Sequence, residues 1–279
     1  MKSVTIDKYL VPYDFTGVTD DAFHYAIRLI KTAGSGQVLL GHIVKNSSEV
    51  GPAEKKLEEV ISKLSDEEKE ITSYKVIEGD IFKDIPKMAD LTGASVIVMG
   101  THGSHGLQKV FGSHALKIVS NSHIPFIITQ EDEKESEIND IVMPFSFQRE
   151  SVQVTQFAAS LAEKFDATIH LVGYRGNDEW LLRDMKTNQA IVRKHLTQHG
   201  VKYNMVTLPG KKSYEKELLE YAKVVDADLI AAAYFPQGIR ALFNSFVQEM
   251  IMNEQRIPVI TINAPEVMAV DSGFSFLTV

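Results

Sequence analysis

The stretch ASVIVMG at residues 94–100 is a run of apolar residues that ends in glycine, and ADLIAAAY at 227–234 is a second such run. A strand covered by helices on both faces has a continuous apolar sequence, whereas a strand with one solvent-exposed face alternates between apolar and polar residues. Both runs are therefore predicted to be buried strands of parallel sheets, one in each half of the chain.

The two halves share one sequence pattern. A shift of 132 residues without a gap aligns Pro12 with Pro144 and Phe15 with Phe147, at the ends of the strand-like runs YLVPYDF and DIVMPFSF. Strand-like and helix-like stretches then alternate in each half. The predicted strands are 9–12, 37–44, about 73–78, 94–100 and 125–130, then 141–144, 167–174, about 202–207, 227–234 and 258–263. The helices predicted between the second and fourth strands are about 53–69 and 81–92, then about 177–199 and 212–225.

Strands that alternate with helices favour parallel sheets with right-handed crossovers. We therefore expect an α/β, Rossmann-like fold of two tandem doubly wound domains, residues 1–134 and 135–279, each with a five-stranded parallel sheet in the order 3-2-1-4-5 flanked by helices. The acidic segment QEDEKESEIND at 130–140 is interpreted as a solvated linker without a partner. The last strands, 125–130 and 258–263, are expected at sheet edges, where pairing across the halves would bury them.

The composition limits the possible functions. Of the 279 residues, 44% are hydrophobic and 24% are charged, which is typical of a globular protein. The net charge of −8 argues against a surface for nucleic acid or an anionic membrane. The chain has no cysteine, which excludes disulfides and thiolate metal sites and fits a reducing compartment. Since no apolar run approaches the roughly 20 residues of a membrane span, we expect a soluble cytoplasmic protein with no nucleic-acid or membrane partner.

The stretch VMGTHGSHGLQKVFGSH at 98–114 follows the fourth predicted strand and contains four glycines. Glycine lets backbone amides approach a ligand closely, and the helix predicted after it offers unpaired amides and a partial positive charge. The segment is therefore open to two interpretations, a phosphate cradle and a plain turn. It does not match the GxGxxG dinucleotide fingerprint, because Gly100, Gly103 and Gly106 are spaced GxxGxxG and follow the fourth strand instead of the first.

Three motifs together resemble the universal stress protein family: LVPYDF at the first strand, GHIV at the second, and VMGTHG followed by GS before a helix. The pattern recurs in each half and covers nearly the whole chain, which implies a tandem, UspA-like member. Family members with an intact glycine motif bind ATP, and that motif runs GxxG, nine residues, then G[ST]. Here Gly103 and Gly112 enclose only eight residues. Members commonly dimerise through the last strand, so the two halves are expected to imitate such a dimer.

The resemblance implies that one set of residues in the first half lines an ATP site: Pro12, Tyr13, Asp14, Ile43, Met99, Gly100, Gly103, Gly112, Ser113 and His114. The first three would edge the adenosine pocket, with Asp14 hydrogen-bonded to the nucleoside, and Ile43 would lie against the adenine. Met99 and Gly100 would line the ribose. The last four would hold the phosphates, with Mg²⁺ or Mn²⁺ bound to them.

Several of these residues also have a simpler structural interpretation. Asp14 is equally well explained as a helix cap or a turn residue. Tyr13, Ile43 and Met99 are equally well explained as packing residues. The sequence alone leaves both interpretations open.

The second half provides an internal comparison. Within one residue of alignment uncertainty, the aligned pairs are Asp14 with Ser146, Gly100 with Ala233, Gly103 with Pro236, Gly112 with Asn244 and Ser113 with Ser245. The carboxylate is lost, β-carbons are added, and proline lacks an amide donor. We therefore predict that the second domain keeps the fold and has lost the nucleotide site.

Dedicated metal and catalytic sites are not expected. His102, His105 and His114 are close in sequence, but no cysteine or nearby carboxylate completes a set of metal ligands. The chain has neither a GxSxG nor an HExxH motif, and no residue is identified that would orient the nucleophile for phosphoryl transfer. We therefore predict at most slow ATP hydrolysis.

The sequence favours a universal stress protein that binds ATP in its N-terminal domain and acts in stress response as a nucleotide-dependent regulator. Besides the nucleotide, its expected partners are other proteins or a second copy of the chain. The alternative is a structural or protein-interaction module of the same fold that does not bind nucleotide, for which the short glycine loop is the first indication.

Overall fold

The fold is described from a computed structural model that covers residues 6–101, 111–133, 136–145, 153–174, 179–234 and 244–263. The strands are β1 (Lys8–Pro12), β2 (Gln37–Val44), β3 (Thr72–Glu78), β4 (Val96–Thr101), β5 (Phe126–Gln130), β6 (Asp140–Phe145), β7 (Thr168–Tyr174), β8 (Lys202–Leu208), β9 (Leu229–Tyr234) and β10 (Val259–Asn263). The helices are α1 (Gly17–Ala33), α2 (Val50–Ser62), α3 (Asp66–Ile71), α4 (Ile81–Thr92), α5 (Phe111–Val119), α6 (Gln153–Phe165), α7 (Glu179–Gln198), α8 (Tyr214–Val224) and α9 (Asn244–Ile251).

The described strands form one ten-stranded sheet, in the order β3-β2-β1-β4-β5-β10-β9-β6-β7-β8. Each half contributes five neighbouring strands, and all pairs within a half are parallel. Read from its outer edge, each half has the strand order 3-2-1-4-5. The predicted fold class is therefore confirmed, and the two five-stranded sheets are continuous with each other.

The halves meet where β5 pairs with β10 in antiparallel orientation. Ile127 lies opposite Ile260, and these are equivalent residues of the two halves. Such a pairing is self-complementary, like the contact at the two-fold axis of a homodimer. The predicted pairing of the last strands across the halves is confirmed, and it protects edges that would otherwise be open to other chains.

Local sequence explains most element boundaries. The α4 helix matches its predicted bounds because Asp80 caps its first turn by accepting a hydrogen bond from the Phe82 amide, at 2.9 Å. Gly93 ends the helix in the left-handed conformation that glycine adopts without strain.

The prediction of a single helix over about 53–69 is wrong. A short 3-10 helix, Ser47–Glu49, leads into α2, and the chain breaks before α3 begins. Ser65 and Glu68 form a reciprocal capping box there, in which each side chain accepts from the other residue's backbone amide. This local pairing starts a new helix and ends the earlier one.

The apolar core consists of one layer on each face of the sheet. Successive residues of β1 contribute to opposite layers: Val11 belongs to the layer that includes residues of α1 and α6, whereas Leu10 belongs to the layer that includes residues of α4, α5, α8 and α9. Both residues are fully buried, as expected for a strand covered on both sides.

The segment between the halves is largely exposed where it is described, as expected of a solvated linker, but two of its acidic residues form ion pairs. Glu133 forms an ion pair with Arg28 of α1 at 2.6 Å, and its side chain is only 5% exposed. Asp132 pairs with Arg256 of the other half at 3.2 Å. Glu133 and Asp132 therefore each contact one of the two halves, and only the Glu133 pair is buried.

None of the helices in the described parts of the chain is long and apolar enough to cross a membrane.

Candidate functional site

The candidate site lies at the carboxyl edge of the N-terminal half, where β1 and β4 separate. These strands pair only through Tyr9 with Val96 and Leu10 with Ile97, although both continue beyond those residues. The order of the strands reverses at this point, because β2 follows on one side of β1 and β4 lies on the other. Open α/β sheets bind their ligands at such switch points.

The predicted residues that the structure describes gather at this edge. Pro12 ends β1, Ile43 lies near the end of β2, and Met99 and Gly100 lie near the end of β4. Tyr13 and Asp14 follow in the short connection from β1 to α1. Gly103 lies outside the described residues.

Asp14 is exposed, and one of its carboxylate oxygens is fixed by a turn. Oδ1 accepts hydrogen bonds from the amide of Thr16 at 3.0 Å and from the hydroxyl of Thr16 at 2.5 Å. It also lies 3.1 Å from the hydroxyl of Thr19. Thr16, not Asp14, occupies the N-cap position of α1. Asp14 is therefore a turn residue, and in the described structure its other carboxylate oxygen is not used by the turn.

Tyr13 is held by β2 and by α1. Its amide donates to the carbonyl of Gly41 at 2.9 Å, and its own carbonyl accepts from Nδ1 of His42 at 2.6 Å. The phenol donates to Asp20 in the first turn of α1. Burial, together with this carboxylate, raises the pKa of Tyr13. The residue is 3% exposed and belongs to the core, so packing accounts for it without a ligand.

Phe15 adopts a backbone conformation that is unusual for a bulky residue, with φ of 68°. Residues of this kind store of the order of 1–3 kcal/mol of strain and are often found at functional sites. Its ring centroid is 5.4 Å from that of Tyr13 and 4.9 Å from that of His42, and Nζ of Lys56 lies 5.5 Å from the ring. These contacts fix the turn that presents Asp14.

Gly100 is required by helix packing. A β-carbon at this position would lie 1.9 Å from the carbonyl oxygen of Val18, because the start of α1 crosses closely over β4. The structure therefore gives a reason for this glycine that does not depend on a ligand.

Met99 and Ile43 belong to the opposite core layer from Tyr13, the one under α4 and α5. Met99 is 7% exposed, so the packing interpretation suits it. Ile43 and Pro12 are partly exposed at the edge. A ligand at this edge would therefore reach Pro12, Asp14 and Ile43 more easily than Tyr13 or Met99.

The α5 helix is described from Phe111 onward, and Gly112, Ser113 and His114 lie within it. The sequence interpretation placed Gly112 and Ser113 before the helix, and that is wrong by at least two residues. The first N–H groups of a helix have no partner within the helix. Those amides, at the positive end of the helix, are the groups by which a helix binds phosphate.

Three residues that hold this edge were not singled out from the sequence: Thr16, Thr19 and His42. A threonine two residues after an aspartate is a recognisable turn signal, since the aspartate side chain accepts from that amide. His42 has no comparable signal, because its role depends on β1 lying beside β2.

The carboxyl edge of the C-terminal half is built differently. The first residue of α8, Tyr214, stacks on Phe246 of α9 with ring centroids 5.7 Å apart. The Tyr214 hydroxyl donates to the carbonyl of Val172 at 2.7 Å and accepts from the amide of Phe145 at 3.2 Å, near the ends of β7 and β6. Burial raises the pKa of this phenol.

The sheet and the last helices support the predicted alignment of the halves in this region. Ile97 pairs with Phe126 and Ile230 pairs with Val259, so Gly100 of β4 is equivalent to Ala233 of β9, as predicted. The α5 and α9 helices end at equivalent residues, Val119 and Ile251, and the same backbone hydrogen bonds follow each end. This offset aligns Gly112 with Asn244 and Ser113 with Ser245, as predicted. Ser146 and Pro236 lie outside the described residues.

In the described parts of the chain, no three His, Asp or Glu side chains are placed to hold a metal ion. His102 and His105 lie outside those parts, and the side chain of His114 is also not described.

Comparison with known proteins identifies the fold and finds a family model that matches the N-terminal half. Residues 5–130 match the model of the universal stress protein family. A universal stress protein from Archaeoglobus fulgidus DSM 4304 is similar in structure, with a TM-score of 0.72, 16% identity, and coverage of 93% of this chain and 99% of that one. A putative universal stress protein from Pseudomonas aeruginosa UCBPP-PA14 has a TM-score of 0.62 and 12% identity, with 96% and 97% coverage.

A shorter universal stress protein from Archaeoglobus fulgidus, solved in complex with dAMP, covers 46% of this chain and 100% of its own, with 21% identity and a TM-score of 0.37. No curated protein matches the chain. The fold is shared along nearly the whole chain, and residues 5–130 match the model of the universal stress protein family.

Proposed function

We propose that the N-terminal half binds ATP, with Mg²⁺ or Mn²⁺ on the phosphates, and that the protein acts in stress response as a nucleotide-dependent regulator and not as an efficient enzyme. The observation that carries the proposal is the Asp14 carboxylate. It is exposed at the edge where β1 and β4 separate, and one oxygen is held by the turn while the other is outside that turn. A carboxylate fixed in this way is ready to accept hydrogen bonds from a nucleoside.

In this proposal the adenosine lies against Pro12 and Ile43 at the ends of β1 and β2, with Asp14 as its acceptor. Tyr13, Met99 and Gly100 shape the edge from within the core. The phosphates lie at the start of α5, where the amides of its first turn and those of the preceding glycine segment bind them. The residues assigned to the phosphates are Gly103, Gly112, Ser113 and His114.

The C-terminal half is proposed to bind no nucleotide. Its stacked Tyr214 and Phe246 fill the space between α8 and α9, and Phe246 stands at the position equivalent to His114. An aromatic ring there offers a phosphate no donor. The expected stoichiometry is therefore one nucleotide per chain.

Isothermal titration of the whole chain with ATP and Mg²⁺ tests the proposal. Asp14→Asn keeps the size of the side chain and an oxygen for the turn but removes the charge, and should weaken ATP binding about tenfold, since hydrogen bonds to charged groups contribute about 1.5–3 kcal/mol. Asp66→Asn is the matched control, because the Asp66 side chain is fully exposed on α3 and remote from the edge in the strand order.

An absence of both heat and thermal stabilisation at millimolar ATP would exclude nucleotide binding. The protein would then fit the alternative, a structural or protein-interaction module. The observation that favours this alternative is the segment before α5, which is one residue shorter than in the family motif. Equal affinity of the Asp14→Asn and Asp66→Asn variants would instead place the nucleotide elsewhere.

A further inference from the structure

Two buried amide side chains cross between the halves in a symmetric manner. Gln130, the last residue of β5, donates from Nε2 to the carbonyl of Asn253, at 2.9 Å. Asn263, the last residue of β10, donates from Nδ2 to the carbonyl of Ser120, also at 2.9 Å. Both donors are nearly inaccessible, with exposures of 3% and 2%. Each half therefore donates one hydrogen bond from a buried side-chain amide to the other half.

The acceptors lie just beyond the carboxyl ends of the last helices of the two halves. Ser120 directly follows α5, and Asn253 lies just after α9. The last carbonyls of a helix have no partner within the helix and need donors from elsewhere. Asn263 and Gln130 supply such donors, so each half helps to fix the carboxyl end of the other half's last helix.

This symmetry is broken at the opposite ends of the two helices. The amino end of α5 is the proposed phosphate site, whereas the amino end of α9 carries Phe246, which is stacked on Tyr214. The α5 helix has nine residues and also contacts α9 and β10. At about 1.5 Å per residue, the described residues of α5 form a rod of roughly 13 Å.

We propose that Asn263 is a positioning residue for the nucleotide site: it holds the carboxyl end of α5 from the other half, so that the amides at the amino end meet the phosphates. The inference rests on the proposed function. It gives the C-terminal half a role in nucleotide binding although that half has no nucleotide site of its own. Gln130 makes the same kind of bond just after α9, but it has no such role because no nucleotide site is proposed at that helix.

The test compares Asn263→Ala with Gln130→Ala in the full chain, because each variant removes one buried amide that crosses between the halves. Both should lose similar thermal stability. ATP affinity, measured by titration well below the unfolding temperature, should fall about fivefold for Asn263→Ala, the lower range of coupling between sites. It should remain within experimental error for Gln130→Ala.

A second variant, Asn263→Leu, keeps the side chain's size while removing the donor, and should reproduce the loss of affinity if Asn263→Ala folds poorly. Equal effects of the Asn263 and Gln130 variants on affinity, or no effect of either, would overturn the inference while the wild-type protein still binds ATP. If the wild-type protein shows no binding, the proposed function itself fails, and the inference fails with it.

Discussion

The carboxyl edges of the two halves are built on the same strand order and differ in the side chains that occupy them. In the N-terminal half, α4 begins with Ile81, which is 46% exposed, and His114 occupies the α5 position equivalent to Phe246. In the C-terminal half the same helix positions hold Tyr214 and Phe246, which stack on each other. The same sheet and helices therefore form with either set of side chains at this edge.

The two edges also differ at the end of the fourth strand. Gly100 lets the Val18 carbonyl of α1 come close to β4, whereas Ala233 in β9 carries a β-carbon and is buried. The first helix must therefore sit differently over the sheet in the two halves. In the half with the exposed Asp14, α1 approaches β4 closely. In the other half, the stacked aromatic rings of Tyr214 and Phe246 pack at the edge.

Gly100→Ala should be the most damaging change at either edge. The new β-carbon would overlap the Val18 carbonyl, and a backbone atom cannot rotate away as a side chain can. We expect a loss of about 3 kcal/mol in the free energy of unfolding, the upper part of the usual range for overpacking. Denaturant unfolding followed by circular dichroism measures it.

The matched change in the other half is Ala233→Gly. It should cost only about 1 kcal/mol, the usual effect of glycine within a strand. Similar losses for the two variants would mean that the helices approach the two strands equally closely.

Tyr214→Ile gives the C-terminal edge the residue that starts α4. The variant loses the stack on Phe246, worth about 0.5–1.5 kcal/mol, and hydrogen bonds of the phenol worth about 1 kcal/mol. We expect a total loss of about 2 kcal/mol, measured by the fluorescence of Trp180, the only tryptophan, which lies in α7.

The reciprocal change, Ile81→Tyr, is the control. Ile81 is substantially exposed, so stability should change by less than about 0.5 kcal/mol. A loss as large as that of Tyr214→Ile would show that both edges are packed in the same way.

Acid should destabilise the C-terminal half first. Burial, with a smaller contribution from the neighbouring His199, lowers the pKa of His195 in α7 to about 4. Above pH 6.5 both the folded and unfolded states hold this histidine neutral. Between pH 6.5 and 4 only the unfolded state gains the proton. The free energy of unfolding therefore decreases as the pH is lowered, by about 1.5 kcal/mol after allowance for solvent screening. Trp180 fluorescence during unfolding at pH 7, 5 and 4 measures the loss.

The control for this pH dependence is His195→Leu, which keeps an apolar contact but cannot be protonated. Its unfolding should be less sensitive to pH over the same interval. The helix in the corresponding place of the N-terminal half, α2, contains no histidine. An unchanged pH profile in the variant would assign the acid sensitivity to other groups.

The fold was predictable because its signals are local. Continuous apolar runs marked the fourth strands, and α4 was placed with correct ends because its apolar period is bounded by Asp80 and Gly93. The break before α3 also had a local signal, the Ser65 and Glu68 capping box, which the sequence interpretation did not use. The burial of Glu133 had no local signal, because it depends on Arg28, which lies far away in sequence.

The candidate site was less predictable, for the same reason. The resemblance singled out Asp14, and the structure adds the threonines that fix it. The packing role of Gly100 depends on the path of α1, and the aromatic closure of the second edge depends on Tyr214 and Phe246 meeting across two helices. Contacts of this kind cannot be deduced from spacing along the chain.

The smallest expected effect concerns the turn that holds Asp14. Thr19→Val keeps the shape of a buried side chain but removes the hydroxyl near the Asp14 carboxylate and the Thr16 carbonyl. We expect a loss of about 1 kcal/mol in stability, and a weakening of ATP binding smaller than that of Asp14→Asn, because the bonds from Thr16 remain. Thr155→Val in α6 is the matched control, since in the described structure the hydroxyl of Thr155 is buried without a hydrogen-bond partner. That variant should be neutral or slightly stabilising, and an equal loss in both variants would mean that the bond to Asp14 contributes nothing to the turn.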